Sequence, residues 1–318
     1  MAGEDGTASD SQIVTGGRIP GSPGAPAFLL SGPTPSEIPV LIAVPHAGRD
    51  YPEPVIEKMR NPGFAALRLE DRYVDLLARE VAARTGASLL VANAPRAMID
   101  LNRSPEDIDW DMIGGSKNGR VDSYAPGRRA RTGLGLIPRR VPGLGELWKR
   151  RHDESELSLR IAAIHEPYHA CLSRTLAELR GRWGAALLVD LHSMPPLPRR
   201  GSHPAAEFVL GDRFGASCHG RLVAAAFSYF GDIGRFAAHN RPYAGGYVLE
   251  RHSDPAAGLH AMQVEIDRSS YLDSRFAERG EGFESIIDLL AGFVRGMANE
   301  VTILGQGSTD SRWAEAAE

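Results

Sequence analysis

Cysteines and long apolar runs are scarce in this sequence. Its 318 residues include two cysteines, Cys171 and Cys218, and neither belongs to a CxxC pair. They supply neither a disulfide framework nor a cysteine-rich zinc site, and free thiols in a reducing cytoplasm are expected. No stretch approaches the roughly 20 apolar residues that span a bilayer, and no N-terminal segment resembles a signal peptide. We therefore predict a cytoplasmic protein without a membrane partner.

A strong charge excess is also absent. The 36 Lys and Arg residues nearly balance the 40 Asp and Glu residues, for a formal net charge of −4. Such a balance gives no general attraction to nucleic acid or to anionic membranes. Any partner is therefore expected to be a small molecule held at a local site. The oligomeric state does not follow from these features.

Composition divides the chain into three parts. Residues 1–26 are rich in Gly, Ser, Ala and Pro, which predicts a disordered leader. Residues 27–305 alternate between strand and helix patterns without a repeat or a linker, which predicts a single domain. Residues 306–318 are small and polar, and we expect a flexible tail there.

The pattern of apolar residues predicts the fold. Residues 39–45 form a β-branched run between prolines, which indicates a central strand that ends just before His46. Further strands are predicted at 87–93, 97–101, 185–191, 207–211, 246–250 and 260–266, and helices at 67–84, 144–180, 220–230 and 283–304. Residues 104–142 lack a clear period and are expected to form a surface excursion or an active-site flap. The alternation predicts an α/β fold with a mixed, mostly parallel central sheet flanked by helices on both faces.

Polar side chains stand at the ends of three predicted strands, namely His46, His192 and Glu265. Ligands of open α/β sheets bind at the carboxyl edges of the strands, so these side chains are expected to converge. A zinc hydrolase needs three protein ligands, an open position for water and a separate carboxylate that accepts the water's proton. A histidine after a strand is, taken alone, more typical of a hydrogen-bonded loop. A carboxylate in an apolar strand such as that of Glu265 is harder to explain without a compensating charge or metal.

Other polar residues each allow a functional and a purely structural interpretation. Arg96 and Arg103 are suited to bidentate capture of a carboxylate, with Asn102 beside them, or to ordinary surface salt bridges. Residues 240–247 contain Tyr243 and two glycines, which allow close approach to a ligand or form a plain turn. Asp71 is a candidate ligand or an acid that faces the dipole of the predicted helix.

Seven short motifs in a fixed order resemble the N-formylglutamate amidohydrolase family. They run from about residue 39 to 271, and each alone is a weak signal, whereas the ordered set is improbable by chance. The motifs are VPHAG at 44–48, EDRYVD at 70–75, RAMIDLNR at 96–103, PYH at 167–169, DLHS at 190–193, NRPYAGG at 240–246 and QVE at 263–265.

The resemblance implies a hydrolase fold like that of the zinc carboxypeptidases and aspartoacylase. It also implies one Zn²⁺ per chain, or another divalent metal, held by His46, Asp71 and His192. Those relatives place a glutamate three residues after the first histidine, where this chain has Arg49. The acid ligand must therefore lie farther along the chain, and Glu70 and Asp75 are alternatives to Asp71.

The resemblance further implies a role for each remaining candidate. Glu265 is expected to act as the general base and Arg96 to polarise the scissile carbonyl. Substrate contacts are expected from Asn102, Arg103, Tyr243 and His169. The implied reaction hydrolyses N-formyl-L-glutamate to formate and L-glutamate, a step of histidine degradation.

Three alternatives remain beside this reaction. In the first two alternatives the substrate is a different N-acyl amino acid or a peptide-like amide, and in the third the chain is a noncatalytic relative that binds a ligand.

The basic cluster Arg128, Arg129 and Arg131 is either solvated surface or a site for a substrate's second carboxylate. A serine hydrolase is disfavoured, because Ser193 does not lie in a GxSxG elbow.

Overall fold

A mixed eight-stranded sheet forms the centre of the protein. The structure is a computed structural model that describes residues 11–114, 127–141, 143–199 and 204–315. The strands of the sheet are β1 (Ser11–Gly16), β2 (Phe28–Pro33), β3 (Val40–Val44), β4 (Ser88–Ala92), β9 (Ala186–Met194), β10 (Phe208–Gly211), β11 (Ala237–His239) and β12 (Leu259–Asp267). The order of the strands in this sheet is β1-β2-β4-β3-β9-β12-β10-β11. Four short strands lie outside it: β5 (Ile113–Gly114), β6 (Arg140–Val141), β7 (Gly145–Glu146) and β8 (His152–Asp153). The central strands β4, β3, β9 and β12 are parallel, whereas β2 and β10 run antiparallel to their inner neighbours.

Helices cover both faces of this sheet. The helices are α1 (Glu53–Lys58), α2 (Pro62–Leu69), α3 (Val74–Thr85), α4 (Arg128–Arg131), α5 (Glu154–Arg160), α6 (Glu166–Trp183), α7 (Gly220–Asp232), α8 (Tyr247–His252) and α9 (Phe283–Glu315). One core lies beneath α6 and α8, and the other beneath α3, α7 and α9. The predicted α/β architecture is therefore confirmed. No helix in the described ranges is both long and apolar enough to cross a membrane.

The central strands read as continuous apolar runs because both of their faces are buried. In β3, Leu41 and Ala43 enter one core, while Ile42 and Val44 enter the other. Parallel strands covered by helices on both sides typically show this pattern in place of a polar and apolar alternation. The same burial makes the polar residues within these strands conspicuous.

Four predicted elements differ from the structure. The predicted helix at 67–84 is broken between α2 and α3, where Tyr73 adopts a φ of 60°. Residues 97–101 form turns, because the N–H of Asp100 bonds to Leu136 O rather than to a neighbouring strand. Residues 247–252 form α8 instead of a strand, since short apolar runs do not distinguish the two. The predicted helix at 144–180 begins only at Glu154 and contains a π-helical turn at Ile161–His165.

The chain ends carry more structure than their composition indicates. Ser11–Gly16, inside the predicted leader, pairs antiparallel with β2, because Ile13 and Val14 favour an extended edge strand. Residues 1–10 lie outside the described residues. The predicted tail continues α9 as far as Glu315. Within the excursion at 104–142, residues 115–126 and 142 lie outside the described residues, and the described remainder includes α4, β5 and β6.

Candidate metal centre and active site

Two histidines and one aspartate meet at the carboxyl edge of the parallel strands. His46 follows β3, Asp71 lies in the turn between α2 and α3, and His192 lies near the end of β9. All three are buried, and one nitrogen or oxygen atom from each lies within 4.8 Å of the other two. His192 Nδ1 is 3.0 Å from Asp71 Oδ2, and His46 Nδ1 is 3.5 Å from the same oxygen. This donor set matches a three-ligand site for a divalent cation.

The far nitrogen of each imidazole bonds to a buried aspartate. His46 Nε2 donates to Asp100 Oδ1 at 2.7 Å, and His192 Nε2 donates to Asp190 Oδ2 at 2.9 Å. These bonds turn both Nδ1 atoms toward Asp71. Metal-bound histidines usually have such a carboxylate partner, which fixes the tautomer and the ring orientation. His46 Nδ1 is fully buried and finds no hydrogen-bond partner among the described residues, which fits a nitrogen whose lone pair serves a cation.

Asp71 and His192 shift each other's pKa values. Burial raises the pKa of Asp71, but the hydrogen bond from His192 and the proximity of His46 outweigh it and lower that pKa well below its usual range. Burial lowers the pKa of His192, but the charge of Asp190 and the bonds to Asp190 and Asp71 raise it well above its usual range. A proton on His192 therefore occupies the position that a cation would take. Cation binding at this site is expected to release a proton.

The structure distinguishes Asp71 from its two neighbouring acids. The Asp71 N–H donates to His46 O at 2.9 Å, and Ser193 Oγ donates to Asp71 Oδ1 at 3.0 Å. Glu70 instead accepts from Arg72. Asp75 forms a bidentate pair with Arg49, at 2.8 and 2.9 Å. The geometry thus favours Asp71 among the three alternatives.

A cleft of about 240 Å³ opens beside the His–Asp–His group. It is rich in guanidinium groups, with five arginines against the two acids Asp71 and Glu265. The predicted site residues that line it are His46, Asp71, Arg96, Asn102, Arg103, His192, Tyr243 and Glu265. The structure therefore brings eight of the nine predicted site residues into one cavity.

Glu265 and Arg96 both line the cleft beside the His–Asp–His group. Glu265 is paired in register with His192 on the adjacent parallel strand, so both side chains project from the same face. It accepts a hydrogen bond from Gln263 Nε2 at 2.8 Å, and burial raises its pKa to about 7. Arg96 is held by Asp100 Oδ2 through Nε at 3.0 Å and Nη2 at 2.9 Å. A buried carboxyl group with a pKa near neutrality is suited to accept and return protons.

Similarity to known proteins identifies the family of this chain. The family model for N-formylglutamate amidohydrolase matches residues 38–272. The chain belongs to this family. It is 29% identical over 242 residues to an N-formylglutamate deformylase from Pseudomonas putida, a match that covers 74% of this chain and 82% of the relative. The relative of the same name from Pseudomonas aeruginosa is 28% identical over 251 residues, covering 77% and 86% of the two chains.

Solved structures show the same relationship. The crystal structure of N-formylglutamate amidohydrolase from Ralstonia eutropha JMP134 is 32% identical, with a TM-score of 0.77, and the match covers 86% of this chain and 98% of that one. The gene product Atu2144 from Agrobacterium tumefaciens shares the fold, with a TM-score of 0.60 at 19% identity and coverage of 89% and 96%. Membership of the N-formylglutamate amidohydrolase family makes this chain an amidohydrolase, as the motifs predicted.

His169 is the predicted site residue that lies outside the cleft. Its ring is completely buried behind the loop that carries Asn102, and its Nε2 donates to Leu101 O at 3.0 Å. Direct contact with a substrate in the cleft is therefore ruled out in this conformation. Sequence reasoning placed it in the pocket because the PYH motif belongs to the family pattern, which does not separate lining from supporting residues.

Sequence reasoning missed both orienting aspartates. Asp190 precedes His192 by two residues in β9, so both side chains project from the same face. An acid within the apolar run at 185–191 was the available signal. Asp100 lies in a motif that was identified, but only its arginines and amide were assigned roles. Arg268, which donates to Ser193 Oγ and to Glu70 O and so supports the turn of Asp71, had no signal in the sequence.

Proposed function

We propose that this chain is a zinc-dependent deformylase that hydrolyses N-formyl-L-glutamate to formate and L-glutamate. The observation that carries the proposal is the buried His46–Asp71–His192 group, whose histidines are oriented by carboxylates and which borders a cleft containing Glu265. Two relatives named N-formylglutamate deformylase support the choice of substrate. Zinc is the proposed cation because two imidazoles, one carboxylate and an open position form a typical catalytic zinc set.

The protein's own groups supply the proton transfers. A cation bound there would lower the pKa of a water molecule and polarise a carbonyl oxygen. Glu265 accepts the proton of the attacking water and returns it to the amide nitrogen as the C–N bond breaks. Arg96 donates to the carbonyl oxygen of the formyl group, where negative charge develops. Because Asp100 binds both Arg96 and His46, the two groups keep a fixed relation to each other.

The charge of the cleft favours a dianionic substrate. Arg103 donates through Nε to Leu134 O at 2.8 Å and through Nη1 to Asn102 O at 2.7 Å, which fixes its guanidinium beside the cleft. We assign the substrate's α-carboxylate to Asn102 and Arg103. Arg129 also lines the cleft, and its guanidinium has no hydrogen bond or ion pair among the described residues. We assign the side-chain carboxylate of glutamate to Arg129.

The other members of the basic cluster are placed differently. Arg131 is exposed and faces a surface depression that it shares with Asp109 and Asp111. The side chain of Arg128 lies outside the described residues. Arg129 is therefore the member of this cluster that the proposal uses.

Substrate and metal dependence are tested together. The purified protein is assayed with N-formyl-glutamate, N-formyl-glycine and N-acetyl-aspartate, before and after chelation and with zinc restored. We expect the highest kcat/KM for N-formyl-glutamate, loss of activity with the chelator and recovery with zinc. Equal rates for all three substrates would contradict the glutamate assignment. A zinc-loaded protein that hydrolyses none of them would be a noncatalytic relative.

The role of Glu265 is tested by Glu265→Gln. The amide keeps the shape and the bond from Gln263 but cannot accept a proton, so we expect kcat to fall about 10²- to 10⁴-fold with zinc content unchanged. Glu207→Gln is the control, since Glu207 pairs with Arg235 away from the cleft. Retained turnover in Glu265→Gln would remove the proposed base.

A further inference from the structure

One helical segment holds the backbone of the loop at residues 96–103. Arg160 Nη1 donates to Met98 O at 2.9 Å. His169 Nε2 donates to Leu101 O at 3.0 Å, and His165 Nε2 donates to Arg103 O at 2.9 Å. Three side chains from α5, α6 and the turn between them therefore bind three carbonyl groups of a single loop.

The π-helical turn explains how these donors reach the same loop. In a regular α-helix, residues five apart point about 140° away from each other, so Arg160 and His165 would diverge. The turn at Ile161–His165 is wider, with the N–H of Glu166 bonded to Ile161 O five residues earlier. The Ala163 carbonyl in this turn is satisfied by the N–H of Arg18 at 2.9 Å. Such turns inside helices frequently occur at functional sites.

The hydrogen bonds of His169 form a chain with a single consistent direction. Because Leu101 O can only accept, Nε2 of His169 carries the hydrogen and its Nδ1 is an acceptor. Nδ1 accepts from His252 Nε2 at 2.8 Å, and His252 Nδ1 accepts from Ser173 Oγ at 3.1 Å. The two rings are nearly parallel, with centroids 5.1 Å apart and an interplanar angle of 11°. Burial lowers the pKa of both histidines, that of His252 to about 3, so the chain is neutral.

The two carbonyls that the histidines bind flank Asn102. The Asn102 side chain accepts from the N–H of Val248 at 2.9 Å, and Val248 belongs to α8, as does His252. The histidine chain thus joins α6, the loop and α8 around the residues assigned to the substrate's α-carboxylate. None of these histidines lines the cleft as the described residues define it.

We propose that His165 and His169 are positioning residues that fix Asn102 and Arg103 for the substrate's carboxylate through the carbonyl groups on either side of Asn102. This inference rests on the proposed function, which assigns that carboxylate to these two residues. Neither histidine touches the substrate. A displacement of about 1 Å at a binding group is enough to reduce a reaction about 100-fold.

The inference is tested with paired substitutions at each histidine. Glutamine can place an amide nitrogen where Nε2 stood, whereas leucine fills the space without a donor. For His165→Leu and His169→Leu we expect KM for N-formyl-glutamate to rise about 10- to 100-fold, with kcat and zinc content much less affected. His165→Gln and His169→Gln should recover most of the loss. His260→Leu, another buried histidine outside the cleft, is the control and should keep the wild-type KM.

A substrate lacking the α-carboxylate separates positioning from general damage. The α-amide of N-formyl-glutamate should be a poor substrate for the wild type, and the leucine variants should lose the preference for the acid over the amide. An unchanged preference, or an equal loss in His260→Leu, would overturn the inference. If the leucine variants do not fold, His165→Gln is compared with His165→Asn, whose shorter amide cannot reach the carbonyl. Equal KM values for these two would also overturn it.

The two proposals fail in different ways. A wild-type protein that hydrolyses none of the amides and does not bind L-glutamate in calorimetry would refute the proposed function and this inference with it. An active wild type whose histidine variants keep their KM would refute the positioning role alone. Calorimetric binding of L-glutamate gives the same comparison between variants without turnover.

Discussion

Asp100→Asn is the most direct perturbation of the metal centre that leaves its three ligands intact. Asp100 Oδ1 accepts from His46 Nε2 at 2.7 Å and from the N–H of Asn102 at 2.9 Å, while Oδ2 accepts from Arg96. Asparagine has one acceptor oxygen and one NH₂ group. Whichever way the amide turns, the NH₂ group meets a donor, from Arg96 or from His46. The substitution therefore breaks one side of this network and removes its charge.

The magnitude follows from the burial of this carboxylate. Asp100 is 1% exposed, and burial raises its pKa, but the charges of Arg96 and Arg103 and its contacts with His46 lower that pKa well below the usual range. Its negative charge is therefore present throughout the neutral pH range. Loss of a carboxylate behind a metal-bound histidine typically weakens metal affinity or activity 10- to 100-fold, which is about 1.4–2.8 kcal/mol. We expect the zinc Kd of Asp100→Asn to rise by this factor.

The assay is zinc competition against a chromophoric chelator at pH 7.5. Asp190→Asn should weaken zinc binding by a similar factor, because Asp190 orients His192 in the same way. Asp109→Asn is the matched control, since Asp109 is a partly buried acid that pairs with Arg139 away from the cleft. Wild-type zinc affinity in both Asp100→Asn and Asp190→Asn would refute the view that these carboxylates orient the ligands.

Three further outcomes are expected. Arg129→Ala should raise KM for N-formyl-glutamate about 10- to 100-fold, as loss of a charge-assisted hydrogen bond does, and leave KM for N-formyl-glycine unchanged. Arg131→Ala is the control. Equal effects of Arg129→Ala on both substrates would count against the assignment. Burial raises the pKa of Glu265 to about 7, and its base form exists above that value, so kcat/KM should fall as pH decreases from about 7, or from a lower value when a cation is bound. A wild-type acid limb in Glu265→Gln would be inconsistent with this origin. Burial lowers the pKa of His260 to about 4, so its neutral form contributes stability that is present above pH 6.5 and lost as pH falls to 4. In urea unfolding, His260→Leu should therefore lose less stability than the wild type between pH 7 and 4, by on the order of 1–3 kcal/mol, and parallel losses would contradict it.

The fold was largely predictable where one rule governed the local structure. Residues 39–45 and the apolar positions within 260–266 are buried because helices cover both faces of the sheet, and the structure has strands at both places. Prediction was wrong where apolar residues are buried without a strand. Met98, Ile99 and Leu101 are buried although residues 97–101 form turns. The hydrogen bonds of these turns join them to α5, α6 and Leu136, which are distant in sequence.

The site was predictable in its chemistry but not in its support. His46 and His192 followed from their positions at strand ends, and the structure places them with Asp71. The resemblance implied Asp71 as the acid ligand with Glu70 and Asp75 as alternatives, and the ion pair between Asp75 and Arg49, which are 26 positions apart, favours Asp71 over Asp75. Likewise, the burial of His169 depends on the packing of α6 against the loop and α8, which no local pattern encodes.

Residues 96–103 carry both halves of the proposed reaction. Asp100 orients His46, while Asn102 and Arg103 lie where a substrate's carboxylate would bind. Within the part of the chain that the structure describes, these turns have no sheet partner, so their shape depends on side chains that bind their carbonyl groups. A regular strand there would alternate its side chains between the two faces of the sheet and could not direct both Asn102 and Arg103 into one cleft. The strand prediction at 97–101 therefore failed at the segment whose irregular backbone allows the proposed metal orientation and the proposed substrate binding to be combined.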